Sequence, residues 1–151
     1  MLILWRLVHT FGFLFWFAGL IGTTVGQASA RRAADVEARR GAWSTVRRFQ
    51  IWEILGLVLT PLGGLFLAVT IYGHVFRGSP AFVHIKLLLV IIAAVLNVVV
   101  ILQRRKADAL LRAGDQMAFG NALRRLGMLE GMATVMLPAA IFVVMVLKYG
   151  G

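Results

Sequence analysis

The sequence predicts an all-α integral membrane protein built as a four-helix bundle. Of the 151 residues, 60% are hydrophobic and 15% are charged, whereas soluble domains carry about a quarter charged residues. Four apolar segments reach the length of about 20 residues that a helix needs to cross the hydrocarbon core of a bilayer. Most of the basic residues concentrate in two segments, at positions 31–48 and 104–125. Together these observations favour a chain whose main solvent is lipid.

The four spans follow from the distribution of charge along the chain. Residues 7–30 carry no formal charge, and the first helix is expected to begin near Ile3. Residues 54–76 are also uncharged, with a helix start near Phe49. The third span has few polar residues, and the fourth is interrupted only by Glu130. The predicted helices cover about residues 3–30, 49–76, 82–110 and 124–148, and they form one transmembrane domain over 1–151.

The basic segments predict the orientation of the chain. They hold 12 of the 16 Lys and Arg residues, and such residues accumulate in cytoplasmic loops. Both segments are therefore expected in the cytoplasm of a bacterium, with both termini on the periplasmic side of its inner membrane. Their amphipathic stretches predict helices that extend beyond the bilayer. The expected partners are lipid and either another membrane protein or a second copy, and the net charge of +10 does not indicate nucleic acid.

The two halves of the chain resemble each other. An Arg pair, a Glu five residues after its second member and a Pro eight residues after the Glu recur at an offset of 77, ending at Pro61 and Pro138. His9 and His84 recur at an offset of 75. Each half spans the membrane twice, so a duplication would place the halves in parallel. Chance recurrence is the alternative, because Arg pairs at membrane borders are common.

Polar residues in the outer halves of the spans are candidate ligands. Ionisable groups inside a membrane are costly and often mark function. Imidazole is a usual axial ligand of haem, and a cation can pair with a haem propionate. We expect a haem b site here, with His9 and His84 as candidate ligands of the iron. The alternative is that His9 bonds a neighbouring helix and Lys86 extends to the surface. The candidate set is Arg6, His9, His74, His84 and Lys86.

Glu53 and Glu130 are the acidic residues within the predicted spans. Each could pair with the Arg pair that precedes it. Together they could instead form a symmetric carboxylate pair that relays protons. The sequence leaves both interpretations open.

Glycine and proline indicate how the first two helices pack. Gly12, Gly19, Gly22 and Gly26 recur along the first helix, and small residues allow membrane helices to approach closely. Pro61, like Pro138, is expected to kink its helix near the middle of the membrane. A kink could open a cavity for a flat ligand.

Several chemistries are excluded by missing residues or motifs. The chain has no cysteine, which excludes disulfides, thiolate-ligated metals and thiol nucleophiles. No phosphate-binding loop, serine-hydrolase elbow, zinc-protease motif or dinucleotide fingerprint occurs. The polar residues inside the spans therefore carry whatever chemistry the protein performs.

Two segments resemble a known family. The stretches 7–9 (LVH) and 15–20 (FWFAGL) are similar to the first helix of the HemJ-type protoporphyrinogen oxidases and of their DUF2269 and CopD-like relatives. The stretch 82–90 (FVHIKLLLV) resembles the His-x-Lys of their third helix. The resemblance covers about a quarter of the chain. It implies a haem b-associated four-helix membrane protein in which His9 ligates haem and Lys86 is the catalytic residue at the porphyrin site.

The function predicted from the sequence is that of a haem b-binding membrane redox protein, either oxidising a porphyrinogen or transferring electrons. The residues after position 20 depart from the oxidase pattern, so the broader haem-binding function is the expectation. Two alternatives remain open. One is a structural or assembly subunit of a larger membrane complex, and the other is a protein of copper transport.

Overall fold

The part of the chain that the computed structural model describes is all-helical, which confirms the all-α part of the predicted fold class. The structure describes residues 1–73 and 80–149, and within the last helix the side chains at 136–138, 140, 141, 143, 144 and 147–149 lie outside the description. The helices are α1 (Leu2–Arg32), α2 (Val36–Tyr72), α3 (Ala81–Ala113) and α4 (Gln116–Tyr149).

Three of the helices have the length and hydropathy needed to cross a membrane. They are α1, α2 and α3, with mean hydropathies of 1.4, 2.3 and 3.0, in a search restricted to the described residues. Large apolar side chains point away from the bundle, including Val58, Leu88 and Val95, which are 50%, 58% and 57% exposed. An apolar outer surface is costly in water and suits lipid.

The helices continue through both basic segments. Helix α2 begins thirteen residues before the predicted start, because the side chain of Asp35 accepts a hydrogen bond of 2.7 Å from the backbone N–H of Ala38 and caps the helix. Asp115 accepts the equivalent bond of 2.9 Å from Ala118 at the start of α4. The linkers from α1 to α2 and from α3 to α4 are therefore short. We call the end of the bundle formed by residues 31–48 and 104–125 the basic end.

Glycines bring α1 and α2 into backbone contact. A Cβ atom on Gly12 would lie 2.6 Å from the backbone nitrogen of Thr60, and one on Gly63 would lie 2.6 Å from that of His9. A Cβ on Gly56 would overlap the backbone of Trp16. Any larger residue at these positions would separate the two helices. The first helix, predicted to approach a neighbour closely, thus packs against α2. Helix α2 contributes Gly56 and Gly63 to the same contact.

A hydrophobic core at the basic end joins all four helices. It contains Ala30 of α1, Trp43 of α2, Ala107 of α3 and Phe119 of α4, each at most 1% exposed. The rings of Trp43 and Phe119 meet edge to face with centroids 5.3 Å apart. The indole N–H of Trp43 donates to Asp108 over 2.9 Å. This core fixes the depth of α3 and α4 relative to the first helix pair.

Candidate functional site

A cavity of about 230 Å³ lies near the end of the bundle opposite the basic end. It is half-open, and α1, α2 and α3 contribute its walls. Most lining residues are apolar, and the polar ones include His9, Thr60 and Lys86. We call it the His9 cavity.

His9 is held in a fixed orientation by α2. Its Nδ1 lies 2.7 Å from the carbonyl oxygen of Thr60. The ring packs against Gly64, where a Cβ atom would come within 3.2 Å of both Nδ1 and Cε1. A histidine whose Nδ1–H donates to a backbone carbonyl presents Nε2 as its free basic nitrogen, which is the usual arrangement of an imidazole that ligates a metal. Glycine at position 64 leaves the space that this orientation requires.

Lys86 lines the same cavity from α3, but His84 is not among the lining residues. The lining residues of α3 are Phe82, Val83, Lys86, Leu87 and Val90, which lie on one face of a helix. A residue two positions before Lys86 faces another direction, since i and i+2 do not share a helix face. The structure therefore brings His9 and Lys86 together and directs His84 elsewhere.

The remaining outer candidates have different positions. Arg6 is exposed on α1, one turn from His9 and on the same side of the helix. His74 lies outside the described residues. The structure therefore describes only two of the three candidate histidines, His9 and His84. Within the described part of the chain, no group of three or more His, Cys, Asp or Glu side chains is placed to hold a metal ion.

A second polar site lies toward the basic end, inside the bundle. The guanidinium of Arg104 on α3 binds Glu53 of α2 and Glu130 of α4. Its Nε donates to Oε1 of Glu130 over 2.7 Å, and Nη2 donates to the hydroxyl of Thr23 on α1 over 2.9 Å. The amide of Gln27 also donates to Oε1 of Glu130. We call these five residues the Arg104 cluster.

The Arg104 cluster is sealed from solvent. Thr23 and Glu53 are 0% exposed, and the other three members are at most 2% exposed. All four helices contribute a side chain, so the cluster ties the bundle together at one level. Buried charges are stable only when they are paired and hydrogen-bonded. Arg104 meets that condition, because its guanidinium donates four hydrogen bonds to side-chain oxygen atoms on α1, α2 and α4.

The two carboxylates of the Arg104 cluster are bonded unequally. Oε1 of Glu130 accepts from Arg104 and from Gln27. Oε2 of Glu53 accepts from Arg104 and, over 3.5 Å, from the hydroxyl of Thr23. Oε1 of Glu53 and Oε1 of Gln27 are buried without a hydrogen-bond partner among the described residues. Two acceptor atoms of the cluster therefore receive no hydrogen bond in the described part of the chain.

Sequence reasoning singled out Glu53 and Glu130 but not the residue that joins them. Both bind Arg104, rather than the Arg pair that precedes each of them. Arg104 was counted among the basic loop residues, yet α3 continues to Ala113 and buries it. Thr23 and Gln27 were also missed. One signal was available, because Gln27 and Arg104 are separated by the same 77 residues as Glu53 and Glu130.

The two sites are distinct. His9 and Thr23 both lie on α1, fourteen residues apart, which corresponds to about 21 Å along a helix. A ligand in the His9 cavity therefore does not touch the Arg104 cluster. Any coupling between the sites would run through the helices.

Comparisons with known protein families, with curated proteins and with solved structures found no match to this chain. The geometry of the two sites therefore has to support any functional conclusion by itself.

The residues of the His9 cavity fit haem b in their chemistry. They offer one oriented imidazole, one cation for a propionate and apolar walls for a macrocycle, which are the groups that haem sites use. The enclosed volume is smaller than the roughly 300–1,000 Å³ of pockets that hold drug-sized ligands. The cavity as it stands therefore encloses less space than a ligand of that size occupies.

Proposed function

We propose that this chain is a membrane protein that binds haem b in the His9 cavity and serves a redox reaction there. One observation carries the proposal. The Thr60 carbonyl fixes the His9 ring, and Lys86 shares the cavity that the ring lines. An imidazole oriented by a backbone carbonyl beside a cation is suited to an iron porphyrin with carboxylate side chains.

Each residue has a defined role in this proposal. His9 supplies Nε2 to the iron, and the Thr60 carbonyl keeps the tautomer in which Nε2 is basic. Lys86 would bind a propionate, and Arg6, one helical turn before His9, is the candidate partner of the second one. The apolar side chains of α2 and α3 exclude water from the macrocycle, and exclusion of water stabilises such contacts.

Bound haem would supply one-electron chemistry. The protein would set the position of the haem near one surface of the membrane and the charge around its propionates. Lys86 would also attract the carboxylates of a porphyrinogen substrate, as the resemblance to the oxidase family implies. Electron transfer to a membrane acceptor without porphyrinogen chemistry would use the same residues.

The proposed setting is the inner membrane of a bacterium, with the basic end in the cytoplasm. The apolar length of α1, α2 and α3 supports a membrane location. The concentration of Lys and Arg at the basic end supports the orientation. In this setting the His9 cavity lies in the periplasmic half of the bilayer.

The test is a visible spectrum of the protein purified in detergent after expression with ample haem, first oxidised and then reduced with dithionite. We expect a haem b spectrum from the wild type and from His84→Ala, and its loss from His9→Ala. His84→Ala is the matched control, because it removes a half-buried histidine from the same end of the bundle without altering the cavity wall. A featureless wild-type spectrum, or a spectrum that survives His9→Ala, would contradict the proposal.

The role of Lys86 has a test of its own. Lys86→Met keeps the length and apolar character of the side chain but removes its charge. We expect weaker haem retention during gel filtration than in the wild type, with the same band positions, since the iron ligand is unchanged. Lys106→Met at an exposed position of the basic end is the control and should retain haem like the wild type. Equal retention by both variants would exclude Lys86 from the site.

A further inference from the structure

We propose that the Arg104 cluster is a proton-binding site, which holds one exchangeable proton on Glu53 and takes it up from the basic end of the bundle. This inference is independent of haem. It rests on the charge, the hydrogen bonding and the access of the cluster.

The first argument is charge balance. Arginine stays protonated in proteins, so the cluster holds one positive charge and two carboxylates. With both carboxylates ionised, it would carry a net negative charge at positions that are at most 2% exposed. An uncompensated buried charge is strongly unfavourable, and uptake of a proton removes it. One bound proton makes the cluster neutral.

Among the side chains that the structure describes, Arg104 is the one buried Lys or Arg. Arg31 of α1 acts on Glu130 electrostatically. Its side chain is exposed and its Nη2 donates to the backbone carbonyl of Leu123 over 2.7 Å. Solvent therefore screens much of its charge. Arg105 of α3 and Arg47 of α2 are exposed too, and Arg47 lies 3.8 Å from Asp108.

The second argument identifies the carboxylate that holds the proton. Oε1 of Glu130 already accepts hydrogen bonds from Arg104 and Gln27, which stabilise an ionised carboxylate. The Oε1 atom of Glu53 is buried and has no donor. A proton on this oxygen turns it from an unsatisfied hydrogen-bond acceptor into a hydrogen-bond donor.

The third argument concerns access. A cavity of about 220 Å³ lies between α2 and α3 on the side of the cluster that faces the basic end. Arg104 forms part of its wall, and Arg47, Gln50 and Asp108 contribute further polar groups. Polar walls allow water to enter. Arg104, which binds the Glu53 carboxylate, is the member of the cluster that lines this cavity. The proposed path of the proton runs from water in the cavity past the Arg104 guanidinium to Glu53 and back, with no change in electron count.

A metal ion is a poorer occupant than a proton. The guanidinium of Arg104 binds both carboxylates, so a metal cation would face a fixed positive charge at its coordination site. A proton needs only one oxygen and no coordination shell. The chemistry of the cluster therefore selects the proton.

The experiment is infrared spectroscopy of the full-length protein in dodecyl maltoside, a detergent without a carbonyl group. At neutral pH we expect the wild type to show the carbonyl stretch of one protonated carboxylic acid, with a shift to lower frequency in D₂O. Glu53→Gln should lose this band and melt no lower than the wild type, because glutamine has the shape of protonated Glu53 and supplies a permanent donor. Glu37→Gln at an exposed position of α2 is the matched control and should keep the band.

The wild-type spectrum alone can overturn the proposal, whether or not a variant folds. Absence of a protonated carboxyl band at neutral pH would mean that both glutamates are ionised. A band that persists in folded Glu53→Gln would place the proton elsewhere. The band should also persist in His9→Ala, so that failure of the haem proposal and failure of this one give different results.

Discussion

Arg104 on α3 and Glu130 on α4 are joined by a hydrogen bond of 2.7 Å from Nε to Oε1 inside the bundle. The same guanidinium binds Glu53 of α2 and the hydroxyl of Thr23 on α1. One side chain thus connects four helices at a single level. Contact between α2 and α3 and between α1 and α4 is otherwise limited. The cluster is therefore a polar link between the two helix pairs, together with the bonds from Trp43 to Asp108 and from Arg39 to Gln116.

Replacement of Arg104 by glutamine should strongly destabilise the bundle. Removing one partner from a buried ion pair leaves uncompensated charge and costs about 3–5 kcal/mol. Thermal unfolding in detergent, followed by circular dichroism, measures the effect. Arg105→Gln is the control, because Arg105 is the exposed neighbour in the same helix. Equal unfolding temperatures for the two variants would show that the cluster does not stabilise the bundle.

The helical architecture was predictable, because the length of the apolar segments and the distribution of charge between them determine it directly.

The burial of Arg104 was missed because basic residues were only counted. The rule for basic residues near membrane borders records how many occur in a segment, not which of them point inward. Arg104, Arg105 and Lys106 are consecutive, and only the helical rotation of 100° per residue determines which one is buried. That rotation applies to Arg104 because α3 continues through it to Ala113.

Replacement of Gly56 by alanine should separate α1 from α2. The added Cβ would overlap the backbone of Trp16 and the carbonyl of Gly12, and backbone atoms cannot move aside as a flexible side chain can. Overpacking of this kind costs about 1–3 kcal/mol. The expected result is a lower unfolding temperature.

Gly41→Ala in the same helix is the matched control. A Cβ at Gly41 meets no atom within 4 Å, and alanine in a helix is favoured over glycine by about 1 kcal/mol. This variant should therefore unfold at a slightly higher temperature than the wild type. The packing explanation for Gly56 would fail if both substitutions shifted stability in the same direction.

The outer candidates illustrate what a sequence pattern cannot resolve. His84 and Lys86 both matched the family pattern, but they lie two positions apart, where helical side chains do not face each other. In the structure, Lys86 lines the His9 cavity. It also makes Lys86, rather than His84, the residue that shares a cavity with His9. These two residues are separated by 77 positions, the offset already seen for the Arg pairs, the glutamates and the prolines.

Replacement of Gly127 by alanine should release Arg31 from α4. The added Cβ would overlap the guanidinium of Arg31, which donates to the carbonyl of Leu123 over 2.7 Å. Arg31 can swing into solvent, so the loss is limited to about 1 kcal/mol, the usual value of one hydrogen bond. Alanine gains about as much over glycine in a helix, so the unfolding temperature of this variant should stay near that of the wild type. Gly120→Ala in the same helix meets no atom within 4 Å and should stabilise instead. If Gly127→Ala raised the unfolding temperature as much as Gly120→Ala does, the contact between Arg31 and α4 would not contribute to stability.

The orientation of the chain can be tested by cysteine labelling, because the natural sequence contains no cysteine. Ile3→Cys and Ala34→Cys place single thiols at exposed positions at opposite ends of α1. In intact bacterial cells a membrane-impermeant maleimide should label position 3 and reach position 34 only after permeabilisation. The physical reason is that Arg31 and Arg32 resist transfer across the membrane. The cysteine-free parent controls for background, and the reverse pattern of labelling would place the His9 cavity on the cytoplasmic side.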